Sequence, residues 1–364
     1  MKDFDVRTIG GTLVVTGQDV CSVIPKKIEE VSKEGAICIV YDKKLRDIAL
    51  AVADALKPTG RRLFLRVLDK AINDALDLPD FVRYVIAVGS GFAAHSTRVI
   101  ANKLNVGWSM FLTAPSTDTI LQGKSPNHVF IDENMMINCP KECVAAGYGI
   151  LCSQGLHAFE NLFSKWILAA SVDDEIYSEI DEIDPSPTKI ALALLEISAT
   201  KTREDSADVM ARILIQKLKS EGRKTRLVGE YKLVAASSLC SLYSSILASP
   251  AIDTLPPADV CADNSALKDI GIDVSKHSKR FDFFDINGYF RISYILSEYR
   301  MELLDKIGGA HSHSLERTWR RIYDDAGFWL KSELSANDVM TAMRLAGVLS
   351  DNLLGYVYAV GMLR

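Results

Sequence analysis

The sequence has no run of lysine and arginine long enough to make a basic stripe. Its 42 Lys and Arg stand against 47 Asp and Glu, a formal net charge of −5. That balance speaks against a nucleic-acid footprint. Internal repeats and low-complexity tracts are also missing. The opening Met1-Lys-Asp-Phe-Asp5 has no apolar stretch behind it, so no signal peptide is expected. Cysteines are few and odd in number, seven. Cys38, Cys152 and Cys240 sit in apolar runs, where a reduced thiol packs as a small hydrophobe. A cytoplasmic, reducing location is the expectation. Cys139-Pro-Lys-Glu-Cys143 lacks the second pair that a structural zinc site needs, so no metal is expected there. Charge is absent altogether from Leu233 to Ile252. That length could span a bilayer. Its six serines and Pro250 instead indicate a buried helix of a soluble domain, with no membrane partner.

The chain has 364 residues, 48% hydrophobic and 24% charged, which fits a globular protein of two domains, possibly three. Short apolar, β-branched runs occur at Thr12–Val15, Ala36–Tyr41, Arg62–Val67, Tyr84–Val88, Trp108–Thr113 and His128–Asp132. Amphipathic stretches lie between several of them. Leu45, Ile48, Ala49, Val52, Ala53 and Leu56 form one; Val99, Ile100 and Leu104 lie on another. Alternation of this kind predicts βαβ units, and so a doubly wound, mostly parallel sheet. After Gly149 strand-like runs vanish and helical patterns dominate. The expected organisation is an α/β domain over residues 1–145 and an all-helical domain over 146–364. Asp173–Asp184 carries seven acidic residues in twelve positions and reads as a solvated connection. Ser335-Ala-Asn-Asp338 has capping-box spacing and opens what reads as one long C-terminal helix through Leu345, Val348, Leu349, Leu353 and Leu354.

The most informative segment is Val85-Ile-Ala-Val-Gly89-Ser90-Gly91-Phe-Ala-Ala94. An apolar strand ends in Gly-x-Gly-x-x-Ala and a helix follows. Glycine permits the tight turn and close approach of backbone to a phosphate, and a helix start offers N–H groups and a positive dipole end. A structural turn without ligand is the alternative. Asp42, after the second of the apolar runs, is placed to accept hydrogen bonds from an adenosine ribose, or to serve as a turn or N-cap residue.

These residues resemble the superfamily of glycerol dehydrogenases, glycerol-1-phosphate dehydrogenases, iron-type alcohol dehydrogenases and dehydroquinate synthases. The family's strand–Gly-Gly-Gly–Asp–Lys segment corresponds to Gly89-Ser90-Gly91 followed by His95 and Arg98. Its Pro-Thr-x-x-Ser-Thr-Asp corresponds to Leu112-Thr113-Ala-Pro-Ser116-Thr117-Asp118. A strand ending in Asp132 follows, and Ala-Gly-x-Gly-Asp corresponds to Ala146-Gly147-Tyr148-Gly149-Ile150. The resemblance implies a dehydroquinate synthase-like fold with the active site in a cleft. It also implies NAD or NADP on the glycine turn and Thr113, with Ser116 and Asp118 near the nicotinamide and substrate. A homo-oligomer and a polyol or phosphorylated polyol substrate are further implications.

The family's chemistry uses a divalent metal that acidifies the substrate hydroxyl. Its ligands are the Asp that closes Ala-Gly-x-Gly-Asp, a His on a mid-domain helix and a His in a later His-Gly. Here the first position is Ile150. No histidine occurs between His157 and His277. The third motif is most similar to Asn287-Gly288. The expectation is therefore a degenerate metal site and no bound metal. His157 could face the cleft or be a satisfied helix histidine. His311-Ser-His313 reads as a surface turn ahead of a helix over Leu315–Tyr323. Three functions follow: a nicotinamide-dependent polyol dehydrogenase in which His95, His157 or Arg98 replaces the metal; a pseudoenzyme that binds a nucleotide or partner; or a metal-independent lyase or cyclase that holds a phosphate with Arg98 and Lys124.

Overall fold

The computed structural model describes residues 4–68, 78–168, 186–201, 204–248, 260–274, 294, 296–313, 334–350 and 353–359. Seven strands form one sheet in the order β1-β2-β7-β6-β5-β3-β4. They are β1 (Asp5–Ile9), β2 (Thr12–Gly17), β3 (Ala36–Asp42), β4 (Leu63–Leu68), β5 (Val82–Gly89), β6 (Gly107–Leu112) and β7 (His128–Asp132). Each apolar run read from the sequence is a strand, and these six pair in parallel. β1 is additional and antiparallel. It joins β2 through Gly10 and Gly11, both at positive φ, which suits a two-residue hairpin.

The order contains a reversal. The chain leaves β3 for the edge strand β4, then returns to β5 on the other side of β3. Right-handed crossovers running in opposite directions place their helices on opposite faces. One face is covered by α1 (Ile24–Val31) and α2 (Arg46–Leu56). Ile24, Ile28, Val52 and Leu56 pack there with Ile37, Ile39, Ile86 and Val88. The other face carries α3 (Gly91–Leu104), α4 (Glu133–Ile137) and α6 (Pro187–Thr200). Ala94, Ala101, Met136 and Leu195 pack there with Cys38, Val40, Val85 and Ala87. Odd and even positions of β3 thus feed separate cores, which is why the strand reads as an unbroken apolar run. Each aliphatic side chain buried this way contributes about 1.5–3 kcal/mol.

The chain divides into two compact units. One holds the described residues of Met1–Gly147 and Ile183–Lys201; the other holds those of Tyr148–Glu182 and Thr202–Arg364. The second unit is helical. It contains most of α5 (Lys141–Leu168), with α7 (Ser206–Ser220), α8 (Val228–Ala248), α9 (Val260–Asp269), α10 (Arg300–His313), α11 (Ala336–Leu349) and α12 (Leu353–Ala359). The capping box at Ser335 and Asp338 forms. Among the described residues no helix is long and apolar enough to cross a membrane.

Two helix readings need correction. The expected single C-terminal helix is two, because the chain turns out at Ser350 (φ −91°, ψ 138°). The Ser350 hydroxyl donates to the Ala346 carbonyl at 2.8 Å. Tyr358 then folds over Gly347, where a Cβ would lie 2.5 Å from the tyrosine's own. The Gly308-Gly-Ala-His311 segment is helical and not a turn. Leu303 and Ile307, buried one turn apart, carry α10 through the glycines. The side chains of His311 and His313 lie outside the described residues, as do Asp173–Asp184, Leu315–Tyr323, His277 and Asn287-Gly288.

Candidate functional site

The reversal between β3 and β5 is a topological switch point, and open α/β sheets bind ligands beyond the carboxyl ends of the strands at such a point. The glycine turn lies there. β5 ends at Gly89, whose φ of +154° disfavours other residues and where a Cβ would lie 2.7 Å from that of Ala93. Ser90 follows at φ −132°, ψ −139°, outside the helical region, and α3 starts at Gly91. A Cβ on Gly91 would meet Thr117 at 3.0 Å. On the neighbouring strand, Tyr41 pairs with Val88, which sets Asp42 beside the turn. Its carboxylate accepts the Lys44 N–H at 2.9 Å, the capping role read as the alternative.

The next strand adds to the same edge. The Thr113 N–H, just after β6, donates to the Gly89 carbonyl at 2.9 Å. The Ser116 hydroxyl donates to Ser90 Oγ at 3.0 Å. Thr113, Ser116, Thr117 and Asp118 are all buried. Gly147 explains part of this fit: a Cβ there would run into the Pro115 carbonyl oxygen, so the loop rests directly on the α5 backbone. From the far side, α6 holds the loop twice. The Leu121 N–H donates to Ser198 Oγ at 2.8 Å, and Lys201 Nζ lies 3.8 Å from Asp118 Oδ2, both side chains 4% exposed.

The structure therefore brings together Asp42, Gly89, Ser90, Gly91, Thr113, Ser116 and Asp118. His95 and Arg98 lie further along α3. His95 is exposed on its outer side. Arg98 donates to the Gln122 carbonyl oxygen, and burial lowers its pKa from the usual guanidinium range. Lys124 donates to the Ala101 carbonyl at 3.2 Å. The turn and helix start fit a dinucleotide's phosphates, and Asp42 fits its ribose.

His157 belongs to the helical unit. Its Nδ1 lies 3.2 Å from Asp205 Oδ2, with both side chains buried. Asp205 is the N-cap of α7. One turn along α5, Glu160 accepts the Ser206 N–H at 2.9 Å and the Tyr243 hydroxyl at 2.6 Å. Burial, with the Asp205 charge adding to it, pushes the Glu160 carboxyl up to about 7. Cys240, whose thiol burial raises to about 12, is on the same helix as Tyr243. This set docks the start of α7 onto α5 and α8.

The family's metal does not fit the positions described. Ile150 is fully buried and supplies no donor atom. Its neighbour Gly149 packs against the Gly229 carbonyl and Leu233 of α8. Among the described residues no three His, Cys, Asp or Glu side chains converge as a cation site. Lys201, Asp205 and Glu160 were not found by sequence reasoning. Asp205-Ser-Ala-Asp208 has a capping pattern that could have revealed Asp205; nothing local marks Lys201 or Glu160.

No protein-family model matches the chain. In sequence it is similar to the glycerol-1-phosphate dehydrogenase [NAD(P)+] of Geobacillus thermodenitrificans, 25% identical over 171 residues, covering 43% of this chain and 37% of that protein. It is also similar to the Metallosphaera sedula protein of the same name, 23% identical over 187 residues, covering 46% and 52%. The matches thus span about half or less of those relatives. Among solved structures it is similar to sulfoacetaldehyde reductase from Bifidobacterium kashiwanohense in complex with NAD+, with a TM-score of 0.54 and 13% identity over 99% of both chains. It is similar as well to glycerol dehydrogenase from Schizosaccharomyces pombe, with a TM-score of 0.51 and 14% identity over 90% of this chain and 93% of that one. The fold is that of these solved enzymes.

Proposed function

We propose that this chain binds a nicotinamide dinucleotide and is a polyol dehydrogenase-like protein whose metal site has degenerated. The observation that carries the reading is the Gly89-Ser90-Gly91 turn, seated at the switch point of the sheet with Asp42 beside it. The turn lets backbone approach the pyrophosphate, the start of α3 offers its N–H groups, and Asp42 accepts from the adenosine ribose. Thr113, Ser116 and Asp118 complete the wall toward the nicotinamide. When bound, the dinucleotide supplies a hydride donor or acceptor. Glycerol or glycerol 1-phosphate is the substrate class suggested by the relatives, and the protein acts as a homo-oligomer in the cytoplasm.

The pseudoenzyme reading is favoured by a specific observation, the apolar, fully buried Ile150 at the first metal position. The lyase reading loses support because Arg98 and Lys124 both donate to backbone carbonyls. Titration of NADH and NADPH by fluorescence tests the cofactor claim: saturable binding below millimolar is expected, and its absence for both would remove the claim. Reduction of dihydroxyacetone or its phosphate by NADH then separates enzyme from pseudoenzyme.

A further inference from the structure

β1 is an edge strand of the sheet, and among the described residues no strand lies beyond it. Asp5, Val6, Arg7 and Thr8 are all exposed. The ladder with β2 fixes which backbone groups face outward. Leu13, the partner of Thr8, donates its N–H to the Asn127 carbonyl at 3.1 Å, away from β1. Thr8 and Leu13 are therefore paired without mutual hydrogen bonds, and the same holds two residues along for Val6 and Val15. The N–H and carbonyl groups of Val6 and Thr8 thus point off the sheet, open to another strand. The Val6 side chain adds apolar surface, 48% exposed.

Charged side chains on an edge usually discourage pairing. Here their order admits one partner. Asp5 and Arg7 lie on one face and form an ion pair along the strand, with side chains 54% and 44% exposed. If a second β1 is laid antiparallel with the two Val6 residues opposite each other, each Val6 N–H donates to the other's carbonyl. The next pair on either side sets Asp5 of one copy against Arg7 of the other. That pair has the closer, non-hydrogen-bonded spacing of about 4.5 Å between Cα atoms. Asp-Val-Arg is thus its own complement about a two-fold axis, whereas like charges at the two positions would repel. The two Val6 side chains meet on the opposite face, beside Val15. We infer that β1 is a docking edge for a second copy of this chain, which joins the two sheets into one. This rests on the homo-oligomer reading above and names its surface.

Sedimentation equilibrium of four full-length proteins tests it. The wild type should be dimeric at about 50 µM, a concentration suited to a small interface. Asp5→Arg sets like charges opposite each other and should weaken the dimer about tenfold. Adding Arg7→Asp restores the alternation in reverse and should return the affinity to within about threefold, which the loss of a merely structural contact would not do. Val6→Pro removes the outward N–H and leaves the bonds between β1 and β2 in place, so it should also weaken the dimer about tenfold. A dimer that Asp5→Arg and Val6→Pro both leave unchanged overturns the inference while the homo-oligomer reading stands. So does a reversed pair that fails to recover what Asp5→Arg loses. A monomeric wild type removes both. If Val6→Pro does not fold, the two charge variants decide, since Asp5 and Arg7 are exposed.

Discussion

The two units use polar side chains in different ways. In the sheet unit, glycines, hydroxyls and two aspartates collect where β3, β5 and β6 end, and a helix begins among them. In the helical unit, His157, Glu160 and Asp205 are each no more than 3% exposed and are spent on one another and on the start of α7. Strand ends at a switch point leave polar groups at an edge where a ligand can approach. A dry cluster drawn from three helices reaches outside only if the helices part. His157, one of the three groups offered in place of the metal, stands among the contacts that pack α5, α7 and α8 together.

The sharpest way to break that contrast is at Gly147, under the loop that carries Ser116 and Asp118. Gly147→Ala drives a methyl group into the Pro115 carbonyl, a backbone atom that cannot swing aside. A loss of ~3 kcal/mol or more, or failure to fold, is expected in urea unfolding. A midpoint unchanged from wild type would show that the loop does not rest on α5 as described.

Glu160→Gln sharpens the comparison through pH. A glutamate titrates near 4.5 when unfolded and near 7 in this cluster. Between those values the native state keeps a proton that the unfolded chain has lost. Stability should therefore fall as pH rises from about 4.5 to about 7 and level off above, over a span of ~3 kcal/mol. The glutamine variant should lose that slope. Parallel stability curves for the two proteins would mean that Glu160 is ionised throughout. The smallest effect is expected at Gly308 in α10, where a Cβ meets nothing within 4 Å. Gly308→Ala should stabilise the helix by up to ~1 kcal/mol, read as a higher urea midpoint.

Much of the sheet was legible because strands buried on both faces need continuous apolar runs, as in Val85–Val88. β1 was not, since Asp5 to Thr8 are exposed and an edge strand can be polar. The break at Ser350 carries no proline or glycine to announce it and depends on Tyr358 packing over Gly347. In the candidate site, Asp42, Gly89 and Gly91 could be read from a strand–turn–helix pattern. Lys201 could not, because its place depends on α6 coming back across more than eighty residues to a loop it does not adjoin.

That return of α6 has a bearing on synthesis. A ribosome that has released only the first 147 residues has made seven strands but not the helix that shields one face with Ala191 and Leu195. The half-finished domain must wait, with the part of that face left over by α3 and α4 uncovered, until α6 has emerged. No single cut frees the sheet unit from the helical one, and a fragment ending at Gly147 should be sticky and prone to chaperone capture.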